Sequence, residues 1–112
     1  MKMIQAIIQP FKFGDVKQAL VEVGVHGLTV SEARGFGRQK GHKGQYRGSE
    51  YESELVQKTR IEVIVDDASL GAALEAILRA ARTGEVGDGK LVVYDLDKVV
   101  RIRTRESAEK AI

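Results

Sequence analysis

Arg60-Ile61-Glu62-Val63-Ile64-Val65-Asp66-Asp67 opens the stretch that decides the fold, and Thr83-Gly84-Glu85-Val86-Gly87-Asp88-Gly89-Lys90-Leu91-Val92-Val93-Tyr94 closes it. Ile61, Val63 and Val65 alternate with Arg60, Glu62 and Ile64, the period of a strand. Asp66 and Asp67 stand where a helix start favours capping oxygens and negative charge. Leu70, Leu74, Ile77, Leu78 and Ala81 then recur at helical spacing, and that helix runs to about Arg82. A short linker with three glycines follows, and a fourth strand begins near Leu91. The unit is strand, helix, strand.

The N-terminal half repeats this order. Met3 to Gln9 reads as a strand with Ile4, Ala6 and Ile8 on one face, and Pro10 closes it because proline cannot donate to a central ladder. Val16, Ala19, Leu20 and Val23 have helical spacing, with Gly24 as the stop. Leu28 to Phe36 reads as the second strand, and Val99 to Thr104 as a short fifth one. Two such halves in one small α+β domain predict a ferredoxin-like βαββαβ sandwich with both helices on one face of a four-stranded antiparallel sheet. The opposite face is expected to carry Ile7, Ile64 and Val93 beside Gln5 and Glu62. That mixture is too apolar for water and too polar for a dry core, and it suits an interface between subunits.

The linker at 83–90 has its own chemistry. Gly84, Gly87 and Gly89 let the backbone approach a ligand closely, successive N–H groups in such a turn form an anion-binding concavity, and Lys90 adds a positive charge. The order helix, loop, strand is the reverse of a Walker loop. The helix therefore points its negative end at the loop, and loop amides and cations must supply any attraction for an anion. The plain alternative is a C-cap glycine at Gly84 followed by an ordinary turn.

The chain has 112 residues, one domain's worth, and a core of that size is often supported by partners or symmetry. With no cysteine, thiol catalysis, disulfides and cysteine-based metal sites are excluded. No apolar run approaches a membrane span, and the start lacks the features of a signal peptide, so a cytoplasmic protein is expected. A formal net charge of +2 does not point to nucleic acid. Arg34, Arg38, Lys40, Lys43, Arg47, Lys58 and Arg60 cluster mid-chain, with Arg101, Arg103 and Arg105 near the end, which favours anionic small molecules. His26 and His42 have no partners at metal-ligand spacing.

Between the halves, residues 37–55 form a long polar, glycine-rich insertion. Connections beyond roughly 12–15 residues without structure of their own are uncommon in compact domains and usually functional or disordered. This one is expected to be a mobile effector loop within a single domain spanning 1–112.

Four motifs in order resemble the PII nitrogen-regulatory signal-transduction family. Tyr46-Arg47-Gly48-Ser49-Glu50-Tyr51 is similar to its first signature and Thr83 through Lys90 to its second. Gly35-Phe36-Gly37-Arg38-Gln39-Lys40-Gly41-His42 and Arg101-Ile102-Arg103-Thr104 also fit its pattern. The resemblance covers essentially the whole chain. It implies a homotrimer with nucleotide sites in the clefts between neighbours, competing ATP and ADP, and Mg-ATP-dependent binding of 2-oxoglutarate. It also implies a loop that changes shape with the ligand and docks on targets.

Site residues carry over on the same terms. Thr83, Gly87, Asp88, Gly89 and Lys90 would hold phosphates, with Arg101 and Arg103. The two-residue spacing of those arginines would place both guanidinium groups on one face of a strand, and arginine suits phosphate through its two parallel donors. Ile7 and Ile64 would flank adenine, with Glu62 at its edge. Gly27, Leu28 and Thr29 would come from the neighbouring subunit, and Gly35, Phe36, Gly37 and Arg38 lie where the loop leaves the sheet against the phosphates. Gln39 would coordinate Mg²⁺ bridged by ATP phosphates. Lys58 would pair with the distal carboxylate of 2-oxoglutarate, with Gly37, Lys40, Gly41 and Gly87 around the acid. Tyr51 matches a tyrosine that receives a uridylyl or adenylyl group, Ser49 a serine phosphorylated in some relatives, and Arg47 an arginine that plugs an ammonium channel. The implied partners are an ammonium transporter, which would recruit the protein to the inner membrane, nitrogen-regulatory enzymes or kinases, and a uridylyl- or adenylyltransferase. No nucleic acid is expected.

The chain departs from the family pattern at Gln9, where relatives usually carry Lys or Arg, at Arg105, where glycine is usual, and at Leu91-Val92. The loss of a cation at position 9 predicts weaker binding of 2-oxoglutarate. Two rivals remain on residue grounds. An RNA-binding ferredoxin-like module shares the element order but needs stacking aromatics on its sheet face, and aromatics make up only 5% of residues. A phosphotransferase needs a nucleophile and a base, and no such pair stands out. The chain therefore reads as no enzyme, with any slow ATP hydrolysis incidental.

Overall fold

The computed structural model describes residues 1–37 and 55–112, together with the backbone of 43–46 and 49–52. In chain order the elements are β1 (Lys2–Ile8), α1 (Phe13–Glu22), β2 (Thr29–Gly35), β3 (Lys43–Tyr46), β4 (Ser49–Glu52), β5 (Val56–Val65), α2 (Leu70–Ala81) and β6 (Lys90–Asp95). Four strands form one antiparallel sheet in the order β2-β5-β1-β6, and β3 pairs with β4 separately. This is the βαββαβ arrangement expected from the two halves.

The core follows from alternation. Ile4, Ala6 and Ile8 of β1 and Ile61, Val63 and Val65 of β5 are buried beneath Val16, Ala19 and Leu20 of α1 and Ala73, Ala76, Ile77 and Ala81 of α2. Pro10 opens a short 3-10 turn (Pro10–Lys12) at its first position, where the missing N–H costs no hydrogen bond. Asp66 caps the second helical segment, its Oδ1 accepting from the Ser69 amide at 2.8 Å. The N-terminal ammonium lies 2.6 Å from Asp67 Oδ1, at the helix start where negative charge is favoured.

Three expectations are corrected. Val93 lies opposite Ile4 and so faces the helices, whereas Val92, opposite Gln5, occupies the open face. Leu91 to Tyr94 has no polar alternation, so only pairing with β1 fixes which side each residue takes. The open face therefore carries Gln5, Ile7, Arg60, Glu62, Ile64, Val92 and Tyr94.

The expected fifth strand over Val99–Thr104 is instead a turn with one isolated bridge, Val100 to Ser107. The chain folds on itself there: the Arg101 amide donates to Glu106 O at 2.8 Å, the Arg105 amide to Arg101 O at 2.7 Å, and the Ala108 amide to Val99 O at 3.0 Å. Backbone groups satisfied locally have no ladder to join, so Arg101 and Arg103 do not share a strand face. Finally, β3 and β4 pair within the polar insertion, Lys43 opposite Glu52 and Tyr46 opposite Ser49. Ladder bonds are made by main chain, so a polar run without apolar periodicity can still pair.

Candidate functional site

The glycine-rich linker leaves α2 through Arg82, whose backbone is already extended. Asp88 then pins it. Its carboxylate accepts from the Thr83 and Gly84 amides, both at 2.9 Å, and from the Thr83 hydroxyl. The Glu85 amide in turn donates to Thr83 Oγ1 at 3.1 Å. The Thr83 hydroxyl, then the amides of Gly84 and Thr83, hold the Asp88 carboxyl below the usual carboxylate range. Gly84, Gly87 and Gly89 have φ of 91°, 108° and 84°, the left-handed side that favours glycine. Gly89 is fixed by space as well: a Cβ there would lie 1.7 Å from Ile7 O of β1.

Asp88 was expected among the phosphate holders, yet its carboxylate is consumed in shaping the turn. Residues 86–87 form a turn closed by the Asp88 amide on Glu85 O, and the amides of Val86 and Gly87 make no hydrogen bond among the described residues. Amides in such a turn, with Lys90 beside them, make a concavity suited to an anion. The Thr83–Asp88 spacing was the available signal for the staple, and a charged residue in a glycine loop is easily read as a ligand contact instead.

Lys58, on β5, reaches the same turn. Its Nζ donates to Gly87 O at 2.5 Å and to Gln9 Oε1 at 3.3 Å. Burial lowers the pKa of this ammonium, partly opposed by the charge of Asp88. Gln9 is itself buried. Two residues nominated for the organic acid, Lys58 and Gly87, are therefore in contact, with the unusual Gln9 as their neighbour.

The other nominated residues separate into two places. Ile7, Asp88, Gly89 and Lys90 line a cavity of about 220 Å³ between β1, β6 and the end of α2. Gly27, Leu28, Thr29, Glu62 and Ile64 line a different one of about 430 Å³. Gly35 ends β2 opposite Val56, with Phe36 and Gly37 exposed just beyond. Arg101 is half-buried and held by its own tail, its Nη2 donating to Ile112 O at 3.3 Å and its Nη1 3.9 Å from Glu106 Oε1. Arg103 is exposed. Arg38, Gln39, Lys40, Gly41 and Arg47 lie outside the described residues. Ser49 and Tyr51 fall on β4, and their side chains lie outside the description.

Among the described residues, no group of three or more His, Asp or Glu side chains is placed to hold a metal ion. No described helix is long and apolar enough to cross a membrane.

The chain matches the nitrogen regulatory protein P-II family over residues 1–106. It belongs to that family. Proteins named nitrogen regulatory protein P-II from Synechocystis sp. and Pasteurella multocida are 54% and 52% identical to it over 112 residues, covering all of both chains. Nitrogen regulatory protein P-II 1 of Escherichia coli K12 is 51% identical over the same full length. As a P-II protein the chain is a regulatory signal transducer and not an enzyme. The RNA-module alternative gives way to this, and Tyr94 is the one aromatic in the four-stranded sheet of this P-II chain.

Proposed function

We propose that this P-II chain reports adenylate and 2-oxo-acid levels to its targets through nucleotide sites completed between copies in a homotrimer. The observation that carries this reading is the division of the nominated residues: within one chain, Gly89 and Lys90 face one cavity, while Thr29, Glu62 and Ile64 face another. Each is half a site. Docking a neighbour on the open sheet face would cover Ile64, Val92 and Tyr94, all exposed here, and bring its Thr29–Glu62–Ile64 half to the rim of that face where Lys90 stands opposite Ile7. Arg60 supports the same docking. It lies on that face opposite Ile7, and its buried Nε has no partner. Buried donors are seldom left unmatched in complete structures.

In that assembly the amides of Val86 and Gly87 and the ammonium of Lys90 hold phosphate oxygens. Asp88 fixes the turn without touching the ligand. Glu62 accepts from the edge of the base, and Ile7 and Ile64 supply apolar surface. Bound Mg-ATP would offer an oxo acid a cation to chelate, with Gln39 as the protein's oxygen ligand. Lys58 supplies the counter-charge for the acid's distal carboxylate, which requires its ammonium to exchange Gly87 O for the ligand. ADP and Mg-ATP with 2-oxoglutarate then favour different postures of residues 37–55. The loop docks through Arg47 on an ammonium transporter, a nitrogen-assimilation enzyme or a regulatory kinase, and Tyr51 or Ser49 is the modification point. The protein works in the cytoplasm and meets the inner membrane through the transporter. Effector and target affinities must be reciprocally linked.

The test is a calorimetric titration with ATP and with ADP in magnesium buffer, with sedimentation on the same sample. The expected result is a trimer that binds either nucleotide competitively, and 2-oxoglutarate only when ATP is present. A monomer indifferent to adenylates would overturn the reading.

A further inference from the structure

The tail at 105–112 has no role in the reading above, yet it holds Arg101, one of the residues nominated for phosphate. The guanidinium donates to Ile112 O and lies beside the Glu106 carboxylate, which also accepts from Thr104 Oγ1 at 2.9 Å. The same segment, as a short 3-10 turn over Ala108–Ala111, lays Glu109, Ala111 and Ile112 against the cavity that contains Thr29, Glu62 and Ile64. One piece of chain therefore occupies both the arginine and a wall of the half-site.

The segment is also built to let go. Arg105 and Ala108 have φ of 62° and 56°, left-handed values that residues with a Cβ adopt at a cost. The docked state is held by the Arg101, Arg105 and Ala108 amide bonds and the Val100–Ser107 bridge as well as by Ile112 O, the Glu106 carboxylate and apolar contacts, and the two left-handed residues offset part of that hold. A ligand shifts the balance by its difference in affinity for the docked and released states.

We infer that residues 105–112 form an intrasteric strap that competes with the nucleotide for Arg101 and for the Thr29–Glu62–Ile64 cavity. This rests on the adenylate-binding reading. A phosphate accepts two parallel bonds from arginine, so it competes with the single bond to Ile112 O and with a carboxylate held 3.9 Å away. The strap reduces apparent nucleotide affinity by the fraction of chains in which it is released.

Position 108 allows the strap to be moved in both directions in the full-length protein. Ala108→Gly relieves the left-handed backbone and steadies the docked state. Ala108→Val makes that backbone worse, because a β-branched residue at positive φ is an outlier. Titrated with ATP in magnesium buffer, Ala108→Val is expected to bind about threefold tighter than the parent and Ala108→Gly about threefold weaker. In the parent, ATP is expected to speed hydrogen exchange at the Ala108 amide, which donates to Val99 O when the strap is down. Equal affinities, or shifts in the same direction, or slower exchange at Ala108, would overturn the strap while leaving nucleotide binding standing. Failure of all three proteins to bind ATP would overturn the adenylate reading and the strap with it.

Discussion

The two helices of this chain end differently, and the difference separates a turn that only closes a helix from one that presents a surface. After α1, Gly24 has φ of 93°, its amide returns to Val21 O at 3.0 Å, and the Val25 amide returns to Leu20 O at 3.0 Å. These are the two bonds of a Schellman cap, and they consume the freed carbonyls of the helix. After α2, Gly84 also has positive φ, yet its amide points forward to the Asp88 carboxylate. Glycine closes the first helix on itself. In the second, glycine and aspartate carry the backbone away and leave the amides of Val86 and Gly87 without protein acceptors. A positive-φ glycine thus does not by itself announce a ligand loop; the direction of its N–H does.

That contrast is most sharply broken at Gly89. Gly89→Ala would drive a Cβ to 1.7 Å from Ile7 O, at a residue with φ of 84°. The combined overpacking and left-handed strain should cost on the order of 3 kcal/mol in urea unfolding and abolish ATP binding. Normal stability would mean that the turn is not pressed against β1.

Next is Gln9→Lys. It replaces the Oε1 that accepts from Lys58, 3.3 Å away, with a second ammonium. A charge-assisted contact restored to the acid should strengthen 2-oxoglutarate binding by about 1–2 kcal/mol, while the ligand-free protein loses stability through like-charge repulsion. Calorimetry in Mg-ATP and a urea melt read the two effects, and unchanged affinity would remove Gln9 from the acid site.

Gly24→Ala sharpens the other side of the comparison. Nothing lies within 4 Å of a Cβ there, so the backbone alone carries the cost, about 1 kcal/mol in the melt. A larger loss would show that the cap has contacts beyond its two hydrogen bonds.

The smallest effect is a pH dependence. The Asp88 carboxyl is depressed in the folded state, so its contribution to stability is present above the ordinary value of 3.8 and is lost as pH falls through its folded value. Asp88→Asn should therefore flatten part of the acid limb of stability against pH, leaving the share due to Asp66 and Asp67, whose carboxyls are depressed too. An identical acid limb in parent and variant would count against the staple.

Much of the fold was legible because Ile4-Ala6-Ile8 and Ile61-Val63-Val65 alternate cleanly and both helices carry one apolar stripe. Where alternation fails, so does the reading. Leu91 to Tyr94 is apolar at nearly every position, and pairing with β1 alone decides that Val92 and not Val93 faces outward. Val99 to Thr104 has β-branched residues in strand-like order, but its hydrogen bonds go to its own tail, a choice composition does not record. At the site, the glycines and Lys58 were visible as motif positions. The role of Asp88 and the hold of Ile112 on Arg101 were not, because both depend on where a chain turns back on itself.

A nucleotide site shared by two copies is revealed by mixing subunits that carry different lesions. Lys90→Ala removes a cation from the half with Gly89, and Arg101→Ala removes one held by Ile112, whose tail lines the Thr29–Glu62–Ile64 half. Each variant trimer alone should bind ATP weakly at every site. Co-expressed at random, the two should recover parental affinity at about a quarter of all sites, one of the three in each mixed trimer, where an intact Lys90 meets an intact Arg101 from the neighbour. No recovery in confirmed mixed trimers would place both residues in a site within one chain and contradict the account.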